Sequence, residues 1–424
     1  MDERSLLIKK RFSRCESEDN KTVYEAFRFL ETVFNVLENV TKTLARPTAI
    51  KGSKAIVFAD CITILDDYLV EYDVIASFST IPTIDLSQAA NPEQLPNLLT
   101  DLRHALIDVG FLYITNHEVP STIINDLVSA LPGLFNLNEE TKRAVALENS
   151  PHFLGYSGVG SENTGGSIDL REQFEFATEL TATWREGLPL YERLRGPNQW
   201  PNNDAKLRGV IERYISELTQ LGERFLDLVA QALSLPSGTF QPFLSDQHRL
   251  KLVHYPESSS SSSSQGVGPH KDSSGWWTFL LQASPPDVKG LQVLNKAGSW
   301  VDVPVVPGTF VVNIGQAFEV VTGGVCKATT HRVLSGQLER FSVPFFQGVR
   351  RDLTKAEAVG ALEAHFAGMI GDESAEGSQI DSAFLRGKYD TWGESQLRTK
   401  VRSHRENGKK FYSEVYEQYI NDDA

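Results

Sequence analysis

Apolar positions between residues 22 and 44 recur at three- and four-residue steps. Val23, Phe27, Leu30, Phe34, Leu37 and Val40 therefore share one face of an expected amphipathic helix. Residues 45–80 show no period beyond a short strand-like run, Ala55-Ile56-Val57-Phe58. From Ile81 the texture changes. Ile81-Pro82-Thr83-Ile84-Asp85-Leu86 alternates like a strand, and Leu95, Leu98, Leu99, Leu102, Ala105 and Leu106 mark a helix. Gly110–Thr115 reads as a buried strand, and helices are expected at 121–132 and 138–147. The five glycines between Gly155 and Gly166 predict a loop, and residues 204–234 predict a long helix.

From Leu250 to about Val349 the chain turns to short β runs broken by Gly and Pro. Trp277–Leu281, Leu291–Leu294 and Thr309–Ile314 are examples, and their spacing predicts a sandwich or barrel. The run Ser258–Ser264 is low-complexity and reads as a loop insertion, and the tail after residue 355 returns to helix. The expected division is an extension at 1–80, an N-terminal region at 81–200, a catalytic core at 201–355 and a helical tail at 356–424.

Composition narrows the class. The 424 residues are 41% hydrophobic and 23% charged, as in ordinary globular proteins. A net charge of −14 argues against a nucleic-acid or anionic-membrane partner. No apolar run approaches the roughly 18 residues of a membrane span. Cys15, Cys61 and Cys326 are too few and too far apart for a disulfide framework, so a reducing compartment is expected, with the cytoplasm and a monomer as defaults.

The candidate chemistry begins at His270-Lys271-Asp272. On a strand, residues two apart share a face, so an imidazole and a carboxylate converge while Lys271 points away. His331 follows 59 residues after Asp272 and supplies a second imidazole. Two histidines and one carboxylate suit a non-haem Fe(II) centre, because they leave coordination positions open. Arg340-Phe341-Ser342 places a guanidinium and a hydroxyl on one face, an arrangement that binds a carboxylate. The neighbouring Val343, Pro344, Phe345 and Phe346 suggest that this strand is buried.

These motifs, taken in order, resemble the 2-oxoglutarate- and Fe(II)-dependent dioxygenases of the isopenicillin-N-synthase-like group. The likeness spans about residues 81–415. It includes Gly110-Phe111-x-Tyr113-Ile114-x-Asn116-His117, Tyr255-Pro256, His270-x-Asp272, Gly290-Leu291-Gln292-Val293, Trp300-Val301-Asp302-Val303-Pro304, Val312-Asn313-Ile314-Gly315, His331-Arg332-Val333 and Arg340-x-Ser342. The resemblance implies a mainly β fold with packed helices, built on a distorted double-stranded β-helix, or jelly roll. It implies that His270, Asp272 and His331 hold Fe(II). Arg340 and Ser342 would take the distal carboxylate of 2-oxoglutarate, and Tyr255 would help seat it. O2 is the second cosubstrate, and ascorbate is a reductant for such enzymes. Val253, His254, Glu118 and Lys271 depart from the usual pattern.

The expected activity is oxidation of a small organic substrate by hydroxylation, desaturation or ring formation, with release of succinate and CO2. The tail motif Ser403-His404-Arg405 with Lys410-Phe411-Tyr412 is similar to fungal members of secondary metabolism. The alternatives are a same-fold oxidase that uses no 2-oxoglutarate and an inactive jelly-roll binding protein. Phe153, His254, Trp276, Trp277, Gln316 and Phe318 are the expected substrate-pocket residues, with one of the two tryptophans facing inward. This aromatic set with few charges predicts an uncharged or weakly polar substrate.

Overall fold

The computed structural model of the chain describes residues 77–164, 166–257, 264–273, 275–367, 369 and 380–421. The helix expected at 22–44, the strand at 55–58 and most of the serine run lie outside these residues. The first strands are β1 (Thr83–Asp85), β2 (Phe111–Thr115), β3 (Gly155–Ser157), β4 (Asn163–Thr164), β5 (Ser167–Ile168), β6 (Glu172–Ala177) and β7 (Arg249–Tyr255). They are followed by β8 (Ser264–His270), β9 (Trp277–Gln282), β10 (Leu291–Leu294), β11 (Trp300–Asp302), β12 (Phe310–Ile314), β13 (His331–Ser335) and β14 (Arg340–Phe346). Eight strands make a major sheet in the order β1-β2-β12-β9-β14-β7-β6-β3. A minor sheet runs β11-β10-β13-β8, and β4 pairs with β5 alone.

Alternation along each strand gives the sheets an inside and an outside. Tyr113, Val253, Leu280 and Val311 of the major sheet meet Val267, Leu291, Val293 and Val333 of the minor sheet in one buried layer. This two-sheet core is the expected jelly roll. The outer face of the major sheet carries Phe174, Phe176, Leu250, Leu252, Trp277, Phe279, Val343 and Phe345. Helices cover it. They are α1 (Leu95–His104), α2 (Ser121–Phe135), α3 (Glu139–Ala144), α4 (Ala205–Ala232) and α5 (Gln316–Val321). The tail adds α6 (Trp392–Ser403), α7 (Arg405–Phe411) and α8 (Ser413–Ile420). Among the described residues, no helix is long and apolar enough to cross a membrane.

The long helix α4 starts where expected. The Asp204 carboxylate accepts the N–H groups of Lys206 and Leu207, which capping requires. Its buried stripe, Val210, Tyr214, Leu218, Leu221 and Phe225, lies in the outer-face core. Strands from 81–200 and 201–355 interleave in one sheet, since β2 pairs with β12 and β6 with β7. The loop expected at 155–166 is corrected by the structure, because Gly155–Ser157 adds to β6 as an edge strand. Gly155 has φ +124 and a Cβ there would stand 2.3 Å from the Val145 carbonyl oxygen. Its glycine serves close packing, not flexibility.

A second close approach secures the end of β12. A Cβ on Gly315 would stand 2.0 Å from the Gly275 carbonyl oxygen. The adjacent Gln316 N–H donates to the Asp272 carbonyl at 2.9 Å. Gly315→Ala therefore forces two backbone segments apart and is expected to destabilise by roughly 1–3 kcal/mol. Gly209→Ala, in α4 with nothing within 4 Å of the new methyl group, is expected to stabilise by about 0.5–1 kcal/mol. Urea unfolding of both variants checks this; equal effects at the two glycines contradict it.

Candidate active site

Antiparallel pairing of β13 with β8 sets His331 opposite His270. Their ring centres are 4.3 Å apart. Each Nδ1 faces a backbone carbonyl oxygen, Gly268 at 2.8 Å for His270 and Thr329 at 3.1 Å for His331. A carbonyl only accepts, so Nδ1 carries the proton and Nε2 keeps its lone pair. Asp272 lies beyond the end of β8, not on the strand as expected. Hydrogen bonds place it instead. Its Oδ2 accepts from Thr278 Oγ1 at 2.5 Å and Asn313 Nδ2 at 2.7 Å. Its Oδ1 is left 3.6 Å from His270 Nε2 and 3.7 Å from His331 Nε2. Lys271 turns away to Glu319 at 3.2 Å, as expected.

Burial alone would raise the Asp272 carboxyl, but the His331 and His270 imidazoles and the Thr278 hydroxyl hold it well below the ordinary range. Burial and the neighbouring His270 lower His331 to about 4. The three ligand atoms lie within 4.8 Å of one another. Two neutral imidazole nitrogens and one carboxylate oxygen fit a divalent iron with open positions, and the fourth protein ligand of a closed structural zinc site is absent among the described residues.

The same inner surface holds a buried guanidinium. β14 pairs with β7, setting Arg340 opposite Tyr255 and Ser342 opposite Val253. Arg340 is 3% exposed. Its Nη2 donates to Gln282 Oε1 at 3.3 Å, and its Cζ lies 5.0 Å from the Tyr255 ring centre. Its Nε and Nη1 are buried with no hydrogen-bond partner among the described residues. Burial pushes its pKa down. A desolvated cation with two unmet donors is complementary to a carboxylate. The residues present thus fit an organic acid seated beside the histidine–aspartate cluster.

Comparison with known proteins agrees. The 2OG-Fe(II) oxygenase superfamily profile matches residues 247–349, and the profile described as non-haem dioxygenase in morphine synthesis N-terminal matches 81–203. A 2-oxoglutarate-dependent dioxygenase, frbJ of Dothideomycetidae sp., is 41% identical over 354 residues, covering 80% of this chain and 94% of that protein. The chain belongs to the 2OG-Fe(II) oxygenase superfamily. Its activity is that of a 2-oxoglutarate-dependent dioxygenase, with Fe(II) as cofactor. The oxygenase is also 30% identical over 310 residues to homoarginine-6-hydroxylase 2-ODD-C23 of Glycine max, covering 68% and 90% of the two chains. A solved 2OG-Fe(II) oxygenase family protein from Caulobacter crescentus shares the fold, with a TM-score of 0.61, 24% identity and coverage of 77% and 99%.

The expected aromatic pocket is not what the oxygenase builds. Trp277 points outward with Phe279 and packs against Phe225 of α4. Trp276 stacks on Phe243, and Phe318 fills the space beside both tryptophans. All three are fully buried in the outer-face core, so neither tryptophan faces a pocket. Phe153 is buried in a separate cluster, stacked on Tyr412. His254 lies on the outer face, where it stacks on Phe341 and meets Glu172 at 2.8 Å. Gln316 is buried, with Nε2 donating to the Asp381 carbonyl. Its part in the site is the backbone bond to Asp272.

Charged residues take the inner positions instead. Arg171, Gln173 and Glu175 alternate with Phe174 and Phe176, and Arg249 and Lys251 alternate with Leu250 and Leu252. Glu175 sits opposite Lys251 and Gln173 opposite Val253. Glu175 receives Arg249 at 2.5 Å and Lys400 of α6 at 2.8 Å. Arg171 meets Glu162 at 2.5 Å, and His404 approaches the same carboxylate at 3.3 Å. The sequence signal for this surface was the polar, not apolar, phase of Arg171–Ala177.

The outer-face carboxylate makes a pH prediction. Burial alone would raise Glu172, but hydrogen bonds from His254, Tyr156 and Lys142 lower it to about 2. A depressed carboxyl stabilises fully above its unfolded value and loses that contribution as pH falls through its folded value. Glu172→Gln should therefore cost up to roughly 3 kcal/mol at neutral pH. The gap between wild type and variant should close as pH drops from about 4.5 towards 2. Denaturant unfolding across that range checks this, and a pH-independent gap contradicts it.

Proposed function

We propose that His270, Asp272 and His331 hold the iron of this dioxygenase, and that Arg340 holds the distal carboxylate of 2-oxoglutarate with help from Tyr255 and Ser342. The observation that carries the reading is Arg340, buried with two unmet donors on the sheet surface that also bears Thr278 and Asn313. When bound, iron supplies the O2 chemistry coupled to oxidative decarboxylation of 2-oxoglutarate to succinate and CO2.

The protein residues do the positioning. Thr278 and Asn313 occupy one oxygen of Asp272, so the other is presented to the metal. The carbonyl oxygens of Gly268 and Thr329 fix both histidine tautomers. Arg340 fixes the direction of the cosubstrate, with its charge strengthened by the dry surroundings. Val253, Leu280 and Val311 keep water from the space between the sheets. The substrate is a small organic molecule bearing ionised groups, in a fungal-type secondary pathway. The charged inner positions support this, and so does the name of the soybean relative, whose homoarginine is an ionised amino acid.

Replacing His270 or Asp272 by Ala should abolish Fe(II)-dependent succinate release while the circular dichroism spectrum is retained. Normal iron-dependent turnover in both variants would rule out the ligand assignment. Arg340→Ala should raise the 2-oxoglutarate requirement by tens to thousands-fold, about 2–5 kcal/mol for a lost buried charge pair. An unchanged requirement would mean that another group seats the cosubstrate.

A further inference from the structure

We propose that the charged surface of β6 and β7 recognises a zwitterion, a free amino acid, as the substrate to be oxidised. Glu175 and Gln173 take its ammonium group, and Lys251 and Arg171 take its carboxylate. The proposal rests on the reading of the site as an Fe(II)/2-oxoglutarate centre.

The argument starts from unmet partners. Glu175 and Gln173 are each 1% exposed. Glu175 Oε2 and Gln173 Oε1 are buried acceptors with no hydrogen-bond donor among the described residues. Arg171 Nε is a buried donor in the same condition. Lys251 Nζ stands 3.8 Å from Glu175 and 4.0 Å from Glu162, beyond hydrogen-bond range of both. Unmet groups of both signs thus share one patch. Burying them costs free energy that apolar side chains would not. The outer face of the same strands, apart from the Glu172–His254 pair, packs phenylalanine and leucine: Phe174, Phe176, Leu250 and Leu252.

The signs decide between ligand classes. Arg171, Arg249, Lys251 and Lys400 face Glu162, Asp169 and Glu175, so the patch is mixed and not a one-sign sink. An apolar ligand would leave every unmet group unpaired. A simple carboxylic acid would set its charge against Glu175, and a simple amine would set its charge against Lys251. A molecule with both groups satisfies both sets.

Placement points to the reacting centre. Val253 lies between Lys251 and Tyr255 along β7, and Tyr255 is opposite Arg340, so the patch continues the cosubstrate surface. Helix α6 covers it, with Lys400 on Glu175 and His404 near Glu162. Gln396 of the same helix donates to the Ser273 carbonyl at 2.7 Å, next to Asp272. A cleft lined by Leu194, Arg249, Phe346, Trp392, Gln396 and Lys400 lies beside the patch, joined to it by Arg249 and Lys400, the two cations on Glu175.

The test uses wild-type protein loaded anaerobically with Fe(II) and 2-oxoglutarate. The probes are the standard L-amino acids, each with its desamino acid and its decarboxylated amine, and binding is read by calorimetry. At least one amino acid should bind, and both its truncated analogues should bind about 10–100-fold more weakly. Glu175→Gln and Lys251→Met should each weaken that amino acid by a similar factor, with 2-oxoglutarate affinity retained as the check on folding. Retained 2-oxoglutarate binding with no amino acid bound, or with analogues bound equally well, overturns this proposal alone. A wild-type protein that binds no 2-oxoglutarate overturns the cosubstrate reading itself. The analogue series needs no variant, so an unfolded Glu175→Gln would not shelter the proposal.

Discussion

A guanidinium sealed between two β-sheets must meet an anion, and Arg340 meets none among the described residues. That constraint organises the site. Its strand partner Tyr255 lies against the cation, Gln282 takes one donor, and the remaining donors face the space that a carboxylate would fill. The histidine–aspartate cluster gains its meaning from this neighbour. Alone, two imidazoles and a carboxylate within 4.8 Å describe any of several divalent sites. Beside a buried arginine with unmet donors, they fit the Fe(II) and 2-oxoglutarate of the superfamily. The relationship to 2-oxoglutarate-dependent dioxygenases rests on similarity over 80% of the chain and so supports the same chemistry independently.

Much of this was legible in one dimension. Short apolar β runs bounded by turn residues marked β2, β9, β10 and β12, and the long apolar helical face of 204–234 marked α4. The candidate metal and cosubstrate residues could be picked out because the motifs are short and because His270, His331, Arg340 and Tyr255 lie on paired strands. What escaped was orientation. Asp272 owes its position to Thr278 and Asn313, hydrogen bonds that no spacing rule announces. Aromatic residues near the ligands in sequence were read as pocket walls, yet Trp277 falls on the outward phase of β9 and Trp276 on a core of phenylalanines. Residues adjacent in sequence on a strand point to opposite sides, so nearness along the chain was a poor guide to nearness to the iron.

The charged inner surface was hidden for a related reason. Its members come from Glu162, from β6, from β7 and from α6, and only sheet register and the return of the tail bring them together. His404, read in sequence only as part of a tail motif, approaches Glu162 from the end of the covering helix. Inner positions expected to be aromatic and weakly polar therefore carry ionised groups.

The most direct test of the central claim is a stoichiometry. Purified enzyme with Fe(II), O2 and a turned-over substrate should release CO2 from carboxyl-labelled 2-oxoglutarate in a one-to-one ratio with oxidised product. Withholding 2-oxoglutarate should stop product formation. Product formed at an undiminished rate without 2-oxoglutarate, and without labelled CO2 when it is present, would contradict the account.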